Sequence, residues 1–437
     1  MNATNFFKDV KSLLIFATPI IFGQLGQMLI GAGDVFVAAR HSANTVASIS
    51  IANAITTIIF MTGFGLLTGI SPILSKIRGE KGDINRFLNP TLLYTGGLSL
   101  IVMLAFLCAL PIIPHIGCEE HLIPNIQQYI YICVLSIPGA YAYHTLKEFL
   151  QTYENVIFAN VVAIAAIFLN LLLAWMLVFG WWIVPSIGVK GLAVSTVIVR
   201  TAMGLALVVY CHKYFTRDLH FDAQYFKKLI NIGFPMSLSF LLEMSAFSAV
   251  TLLSGRISTT QVAAHSIVMT LASITFMIPL AISSALAVRF GYAYGTKSLQ
   301  DMKDNLTAAL SLSVFVMSIF ALVFFTLPQH LMAMFSPDKE VILTGVGLLF
   351  IAALFQMFDG AQITLSGALR GLGATKAILF TMICSYWFIG IPLGTYLAFV
   401  KGMQIYGLWI GLAIALFACV IIFSAALKRK LKLIFNT

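Results

Sequence analysis

Three carboxylates lie in apolar stretches of the sequence where an acid is costly. Asp34 lies in GAGDVFVAAR, Glu243 in SFLLEMSAFS and Asp359 in ALFQMFDGAQITL. A charged group at the centre of a membrane helix costs roughly 2.5–3.5 kcal/mol on insertion scales. An unpaired acid in such a setting either binds a cation or takes up a proton. The chemistry that these residues predict is reversible binding of Na⁺ or H⁺, as in an ion-coupled transporter.

Asp359 lies on a polar side of its predicted helix. At helical spacing the residues that share this side are Phe355, Asp359, Gln362, Ser366 and Arg370. The opposite side is built from Leu, Ile and Ala. We therefore expect the Asp359 carboxylate to face a protein interior or a wet cavity, and not lipid.

The composition predicts a polytopic membrane protein. Of the 437 residues, 60% are hydrophobic and 10% are charged, and the mean hydropathy is +0.97. Soluble domains carry roughly 25% charged residues. The net charge of +10 comes from lysines and arginines between apolar runs, which indicates helix flanks and not nucleic-acid binding. The six cysteines are scattered without metal or redox spacing, so we predict no cofactor.

Twelve runs are long enough to cross a hydrocarbon core of about 30 Å. Lysines and arginines concentrate in the connectors on the side of the two termini, which predicts that both termini are cytoplasmic. The first residues lack a small-residue cleavage site and indicate a cytoplasmic tail. The predicted spans are 13–38, 46–74, 89–110, 125–146, 157–180, 187–211, 229–254, 261–288, 306–327, 341–367, 377–400 and 405–427.

The two halves of the chain repeat each other when the sequence is shifted by 216 residues. The informative matches are Pro19 with Pro235, Arg40 with Arg256, Ser42 with Ser258, Gly79 with Gly295 and Lys81 with Lys297. Secondary transporters are commonly built from such repeats. We predict an N-lobe over 1–211 with six spans, a cytoplasmic linker over 212–228, and a C-lobe over 229–437 with six spans.

The acids themselves are not repeated. Asp34 is matched by Val250, and Glu243 by Gln27. The halves therefore share a scaffold but differ in the positions of their acidic residues, which favours a functional role for the acids. No lysine or arginine lies at mid-depth in the predicted spans where it could neutralise the acids, with Arg200 as the one possible exception.

Around these residues the chain resembles the MATE (multidrug and toxic compound extrusion) family, and within it the NorM branch. The similar segments are GAGDVFVAAR, GFPMSLSFLLEMSAFSAV, QVAAHSIVMTLASITFMIPLAISSALAVRFGYAYG and FDGAQITLSGALRGLGATK. The resemblance implies an all-α fold of twelve transmembrane helices in two pseudo-symmetric six-helix lobes around a V-shaped cavity. It implies Na⁺- or H⁺-driven export of amphipathic, mostly cationic drugs across the cell inner membrane.

The resemblance also implies roles for single residues. Glu243 and Asp359 match the acids of the C-lobe cation site, and Asp34 matches the N-lobe acid. Asn170 and Thr196 match polar members of the N-lobe site, and Pro19 matches a helix bend. Two positions depart from the pattern, since Ala174 and Phe355 stand where relatives often carry Asn or Asp and Tyr, respectively.

We further predict a promiscuous substrate cavity near the acids, because soft side chains adapt to many ligands. Its candidate lining residues are Gln24, Gln27, Met244, Phe247, Met277, Phe355 and Met357. We interpret His265 as a residue hydrogen-bonded within its own lobe, with a proton-relay role as the alternative.

Three other functions have less support in the sequence. A flippase or exporter of a lipid-linked or specific metabolite would favour a cationic cavity, whereas the charges within the spans here are acidic. An intramembrane enzyme would need a catalytic motif, and we find none. A channel would favour a ring of like charges. The expected partners are organic cations and the lipid bilayer, and the expected state is a monomer that does not bind nucleic acid.

Overall fold

The computed structural model describes residues 3–115, 117–181, 185–216 and 221–435. The architecture is all-helical. Its α-helices are α1 Ala3–His41, α2 Ala43–Leu67, α3 Ile70–Gly79, α4 Leu88–Ala109, α5 Ile123–Cys133, α6 Ile137–Thr152, α7 Ile157–Phe179, α8 Val189–Tyr210, α9 Ala223–Gly255, α10 Thr259–Gly295, α11 Leu299–Thr326, α12 Pro328–Ala333, α13 Lys339–Gly371, α14 Thr375–Met382, α15 Ile391–Thr395 and α16 Gln404–Phe435.

Shorter helical turns connect these helices. Turns of 3₁₀ type cover Asn85–Phe87, Leu110–His115, Glu120–Leu122, Val134–Ser136 and His212–Tyr214. Two π-helical segments, Ile383–Gly390 and Tyr396–Val400, lie between α14 and the end of the same span.

Within the described residues, eleven helical segments are long and apolar enough to cross a membrane. They correspond to eleven of the twelve predicted spans. The exception is the predicted span over 125–146, where the 3₁₀ turn Val134–Ser136 separates α5 from α6. Polar residues such as Asn125, Gln127, Gln128 and His144 make this stretch less apolar than the others. The count of twelve spans and the cytoplasmic termini therefore remain predictions.

The chain forms two compact units whose boundaries lie inside two long helices. The C-unit consists of Met1–Ile21 with Leu238–Thr437, and the N-unit consists of Phe22–Ser237. The boundaries follow Pro19 in α1 and Pro235 in α9 by two residues each. A proline has no N–H and its ring crowds the preceding turn, so it weakens a long helix locally. The repeat-matched prolines thus mark the points where the chain passes between units, and a bend at Pro19 remains a prediction.

The units divide the chain by packing, so they differ from the predicted lobes over 1–211 and 229–437. Residues 3–21 pack with the C-unit, although they belong to the predicted N-lobe in sequence. The start of α9 packs with the N-unit: Ser237 Oγ donates a hydrogen bond to the Thr62 carbonyl oxygen at 2.5 Å. The polar linker over 212–228 remains a prediction about topology in the membrane.

The repeat is visible in local backbone geometry. Ser42 and Ser258 cap α2 and α10 with nearly equal dihedral angles, φ −167° and ψ 159° against φ −165° and ψ 157°. Each serine hydroxyl accepts a hydrogen bond from the amide three residues later, as N-caps do. Lys81 and Lys297 both adopt positive φ, 60° and 56°. The 216-residue shift found in the sequence therefore corresponds to repeated structure.

Small residues let the central helices of each unit approach closely. In the C-unit α13 packs against α10, α11 and α16, and in the N-unit α8 packs against α5, α6 and α7. A Cβ atom on Gly367 of α13 would lie 2.5 Å from the Ser283 carbonyl oxygen of α10. Only glycine permits this spacing, which is typical of helix pairs in membranes. This close packing holds the acid-bearing α13 in place.

Candidate functional site

Asp34 belongs to a hydrogen-bonded cluster within the N-unit. Its carboxylate on α1 is 5% exposed. The amide nitrogen of Asn170 on α7 donates to Asp34 Oδ1 at 2.7 Å. The hydroxyl of Thr196 on α8 lies 3.4 Å from Asp34 Oδ2, but it lies closer to the Leu192 carbonyl oxygen, at 3.0 Å. The structure thus brings the three predicted residues together, and Asn170 is the main donor.

Arg200 adds a positive charge to the same cluster. It follows Thr196 by one turn of α8, and its guanidinium attracts the Asp34 carboxylate electrostatically. Nη1 donates to Ser136 Oγ at 3.1 Å, and the guanidinium lies 5.0 Å from the centre of the Phe60 ring. These contacts fix the cation in place. The N-unit acid therefore has a built-in counter-charge, as the position of Arg200 in the sequence suggested.

Position 174 supplies no ligand to this cluster. Ala174 is buried one turn after Asn170 on α7, where the family pattern often has an amide or an acid. The Oδ1 atom of Asn170 is buried and has no hydrogen-bond partner among the described residues. The cluster therefore contains one carboxylate, one amide and one hydroxyl that can serve a cation or a proton.

Glu243 and Asp359 form a pair of like charges within the C-unit. The Asp359 side chain on α13 is 6% exposed, and the Glu243 side chain on α9 is partly buried. The two carboxylates are close enough to repel each other. Within the described part of the chain, neither has a lysine, arginine or histidine as an ion-pair partner. The pair therefore has two negative charges that the protein does not neutralise.

One hydroxyl group reaches this pair. The Tyr386 hydroxyl donates to Glu243 Oε1 at 3.2 Å, and the Tyr386 side chain is fully buried. Tyr386 lies in the π-helical segment Ile383–Gly390. The sequence analysis missed it, because it lies 143 residues after Glu243 and no spacing rule connects the two. A tyrosine inside an apolar span was the available signal, since a buried phenol needs a hydrogen-bond partner.

Aromatic rings surround the acid pair. The Phe247 ring, one turn after Glu243, lies 6.3 Å from the Phe355 ring and 5.9 Å from the Tyr386 ring. The Phe355 ring also lies 5.5 Å from the Trp409 ring. Phe355 is 2% exposed. Phe247 and Phe355 thus belong to one aromatic cluster with Tyr386 and Trp409, and their role as cavity-lining residues remains a prediction.

His265 forms two hydrogen bonds within the C-unit. Trp409 Nε1–H donates to His265 Nδ1 at 3.1 Å, so Nδ1 is an acceptor and the ring is neutral. His265 Nε2 lies 2.9 Å from the Thr251 hydroxyl, which donates to the Phe247 carbonyl oxygen at 3.0 Å. Protonation of Nδ1 would break the bond from Trp409. This arrangement favours the interpretation of His265 as a residue hydrogen-bonded within its own lobe over a proton-relay role.

The remaining predicted cavity residues differ in their exposure. Gln24 and Gln27 on α1 are partly buried in the N-unit. Met244 and Met357 are exposed, and Met277 is partly buried. Met357 lies two residues from both Phe355 and Asp359 and therefore points away from them on α13. A substrate cavity lined by these residues remains a prediction.

The acidic groups of both sites offer oxygen atoms. The Tyr386 hydroxyl that donates to Glu243 also has an oxygen atom, and hard cations prefer oxygen ligands. A proton could be accepted by any of the three carboxylates. Binding of Na⁺ or H⁺ at Asp34, Glu243 and Asp359 remains a prediction.

Comparisons with known proteins identify relatives along almost the whole chain. A model of the MatE family matches residues 19–176 and 235–396, two segments that begin at the repeat-matched Pro19 and Pro235. "Probable multidrug resistance protein NorM" of Mesorhizobium japonicum is 30% identical over 423 residues, 93% of this chain and 91% of that protein. "Multidrug resistance protein NorM" of Photobacterium profundum is 26% identical over 438 residues, 97% of this chain and 96% of that protein.

Solved structures share the fold at low sequence identity. The Vibrio cholerae MATE transporter VcmN in its bent form superposes with a TM-score of 0.89 at 18% identity, over 99% of this chain and 100% of that chain. The eukaryotic MATE transporter AtDTX14 superposes with a TM-score of 0.85 at 17% identity, over 99% of both chains.

Proposed function

Because the chain belongs to the MatE family, as its motifs predicted, we propose that this multi-pass membrane protein is a cation-coupled multidrug antiporter. It exports amphipathic, mostly cationic organic compounds across the cell inner membrane by alternating access. Na⁺ or H⁺ moving inward supplies the free energy. The names of the relatives from Mesorhizobium japonicum and Photobacterium profundum support multidrug export. The acid sites of the two units support the coupling to a cation.

One observation carries the assignment of the coupling site. Glu243 and Asp359 are two mutually repelling carboxylates in an apolar helical unit, and within the described part of the chain no basic side chain pairs with them. A cation that binds next to the two carboxylates stabilises the pair, because it offsets their negative charge. An inorganic cation and an organic cation both satisfy this need. Competition between them for the same charge produces exchange, because binding of one occupant weakens binding of the other.

Asp34, Asn170 and Thr196 form the second coupling site in this proposal. Asp34 receives a hydrogen bond from Asn170 and the attraction of Arg200. Its negative charge is therefore partly offset before any ion binds. We assign the larger share of the coupling to Glu243 and Asp359, and a supporting share to Asp34.

Ethidium uptake into everted membrane vesicles tests the proposal. The vesicle lumen is loaded with sodium and the vesicles are diluted into a sodium-free medium, or the lumen is made acidic and the vesicles are diluted into a medium of higher pH. We expect one gradient to drive uptake in the native protein. Glu243→Gln and Asp359→Asn each keep shape but remove one charge, and each should reduce the gradient-driven uptake by at least about tenfold.

The control variant is Asp304→Asn, which removes a half-buried acid near the start of α11 that accepts hydrogen bonds from Gln300 of the same helix. It should leave gradient-driven uptake unchanged. Normal coupling in the Glu243→Gln and Asp359→Asn variants would refute the site assignment. A native protein that responds to neither gradient would refute coupled export of this substrate class and favour a single specific substrate.

A further inference from the structure

Helix α16 is longer than its counterpart in the other half of the repeat. The 216-residue shift matches α8 with the first part of α16. Both helices begin next to a residue of positive φ, 57° at Gly188 and 52° at Gln404, which marks the register. Because α8 ends at Tyr210, the register places the matching end of α16 at Ala426. Residues 427–435, which we call the α16 extension, are therefore helical in α16 and have no counterpart in α8.

The α16 extension concentrates positive charge on one side. Its sequence is LKRKLKLIF, and its basic residues are Lys428, Arg429, Lys430 and Lys432. Lys428, Arg429 and Lys432 are exposed, whereas Leu427 is 3% exposed. Residues four apart lie on the same side of a helix, so Lys428 and Lys432 are neighbours. The extension thus packs through Leu427 and presents cations on its open side.

The basic side chains of the α16 extension have no acidic partners. Within the described part of the chain, none of the four forms an ion pair. Like charges one turn apart on a helix repel each other and destabilise it. An anion that binds beside them therefore stabilises the extension.

The length of α16 places these charges at the depth of lipid headgroups. At a rise of 1.5 Å per residue, the 22 residues of α8 span about 33 Å and the 32 residues of α16 span about 48 Å. A bilayer has a hydrocarbon core of about 30 Å and measures about 40–45 Å with its headgroups. Lys428 lies about 36 Å and Lys432 about 42 Å from the start of α16. Helix α8 therefore matches the hydrocarbon core, whereas the α16 extension reaches the layer that contains the lipid phosphates.

We propose that the α16 extension is a docking surface for an anionic phospholipid, whose phosphate is held by Arg429 and by the neighbours Lys428 and Lys432. This partner is independent of the transport function proposed above. A guanidinium can donate two parallel hydrogen bonds to one phosphate, and lysines add point charges. Each basic residue beside an anionic membrane surface tightens the attraction about fivefold. A zwitterionic lipid has no net charge and is attracted less.

Thermal unfolding of the purified protein in neutral detergent tests this surface. The micelles contain either phosphatidylglycerol, which is anionic, or phosphatidylcholine, which is zwitterionic. A ligand that binds the folded state raises the melting temperature. At ten times its dissociation constant, phosphatidylglycerol should raise the melting temperature by about 3–6 °C over phosphatidylcholine. This rise should shrink at high salt, because salt screens exposed charges.

Two variants with the same change in net charge separate this surface from the overall charge of the protein. The test variant replaces the four cations of the extension: Lys428→Gln, Arg429→Gln, Lys430→Gln and Lys432→Gln. The control variant replaces four exposed lysines of other segments: Lys81→Gln, Lys227→Gln, Lys228→Gln and Lys303→Gln. Both should melt near the native temperature in phosphatidylcholine. The test variant should lose most of the rise in phosphatidylglycerol, and the control variant should keep it.

A single substitution tests the same surface with the least change to the helix. Arg429→Gln should raise the phosphatidylglycerol concentration for half-maximal stabilisation about fivefold. An unchanged concentration would remove Arg429 from the surface and contradict the proposal.

Three other results would overturn the inference. Equal losses in the test and control variants would mean that net charge, and not the α16 extension, attracts the lipid. Equal melting temperatures of the native protein in the two lipids would mean that it does not select an anionic lipid. If inorganic phosphate at the same concentration raised the melting temperature as much as phosphatidylglycerol, the extension would bind a free anion and not a lipid. All these measurements are made without transport, so their failure is distinguishable from a failure of ethidium uptake.

Discussion

The hydrogen bond from Asn170 to Asp34 gives a direct test of whether the N-unit acid is charged at rest. Its length of 2.7 Å lies at the short end of the range for N–H···O hydrogen bonds. The perturbation is Asn170→Leu, which fills the volume but removes the donor. A hydrogen bond to a charged group contributes about 1.5–3 kcal/mol, and one between neutral groups about 0.5–1.5 kcal/mol. The cost of Asn170→Leu therefore depends on the charge of its partner.

A double-mutant cycle isolates this difference. Asp34→Asn keeps the acceptor oxygen and removes the charge, so Asn170→Leu should cost about 1–1.5 kcal/mol less in that background. The apolar contacts of the new leucine are common to both backgrounds and cancel. For a unit of this size one kcal/mol corresponds to about 2–4 °C in melting temperature. We therefore expect a difference of about 2–6 °C between the two effects of Asn170→Leu.

The assay is thermal unfolding of the purified protein in detergent at one scan rate, since unfolding of such proteins can be irreversible. The control is Asn160→Ala on the same helix, whose amide nitrogen bonds to the local Val156 carbonyl oxygen. It lies ten residues from Asn170, about 15 Å along α7, and should cost the same in both backgrounds. Equal costs of Asn170→Leu in both backgrounds would refute a charged Asp34.

Two further predictions concern the scaffold that holds the acids. Gly367→Ala should destabilise the fold by about 1–3 kcal/mol, because its new Cβ would lie 2.5 Å from the Ser283 carbonyl oxygen. The control is Gly97→Ala, where nothing lies within 4 Å of the new Cβ, and equal melting temperatures of the two variants would refute the close packing. Ser42→Ala and Ser258→Ala should each lower the free energy of unfolding by about 1 kcal/mol, because the two caps have the same geometry. Clearly unequal losses in thermal unfolding would argue against equivalent repeats.

The sequence predicted the repeated scaffold well because its signals are local. Proline and an N-cap serine act on the backbone at their own positions, so matches such as Pro19 with Pro235 survive where apolar residues vary. The boundaries of the compact units were harder to predict. The polarity of the 212–228 linker reflects exposure to water, whereas the units depend on which helices pack together.

The candidate site likewise contains some residues that the sequence reveals directly and others that only the fold brings together. Acids in apolar spans are conspicuous in a sequence because they are costly, so Asp34, Glu243 and Asp359 were found directly. Asn170 and Thr196 were found only through the family resemblance. In the structure the Asn170 amide donates to Asp34 at 2.7 Å, whereas the Thr196 hydroxyl lies 3.4 Å from the carboxylate. Tyr386 was missed because it lies 143 residues after Glu243, and only the fold brings the two side chains together.

The two acid sites differ in what neutralises them, and this difference decides where exchange can occur in the proposed mechanism. Arg200 is tethered by Ser136 and Phe60, so the charge it offers to Asp34 cannot leave during a transport cycle. Nothing comparable neutralises Glu243 and Asp359 in the described part of the chain, so only an occupant that binds and leaves can do so. A ligand couples to a conformational change only through a difference in affinity between states. The site whose charge depends entirely on an exchangeable cation offers the larger difference, so the proposed mechanism assigns the main coupling to the C-unit although the scaffold is repeated.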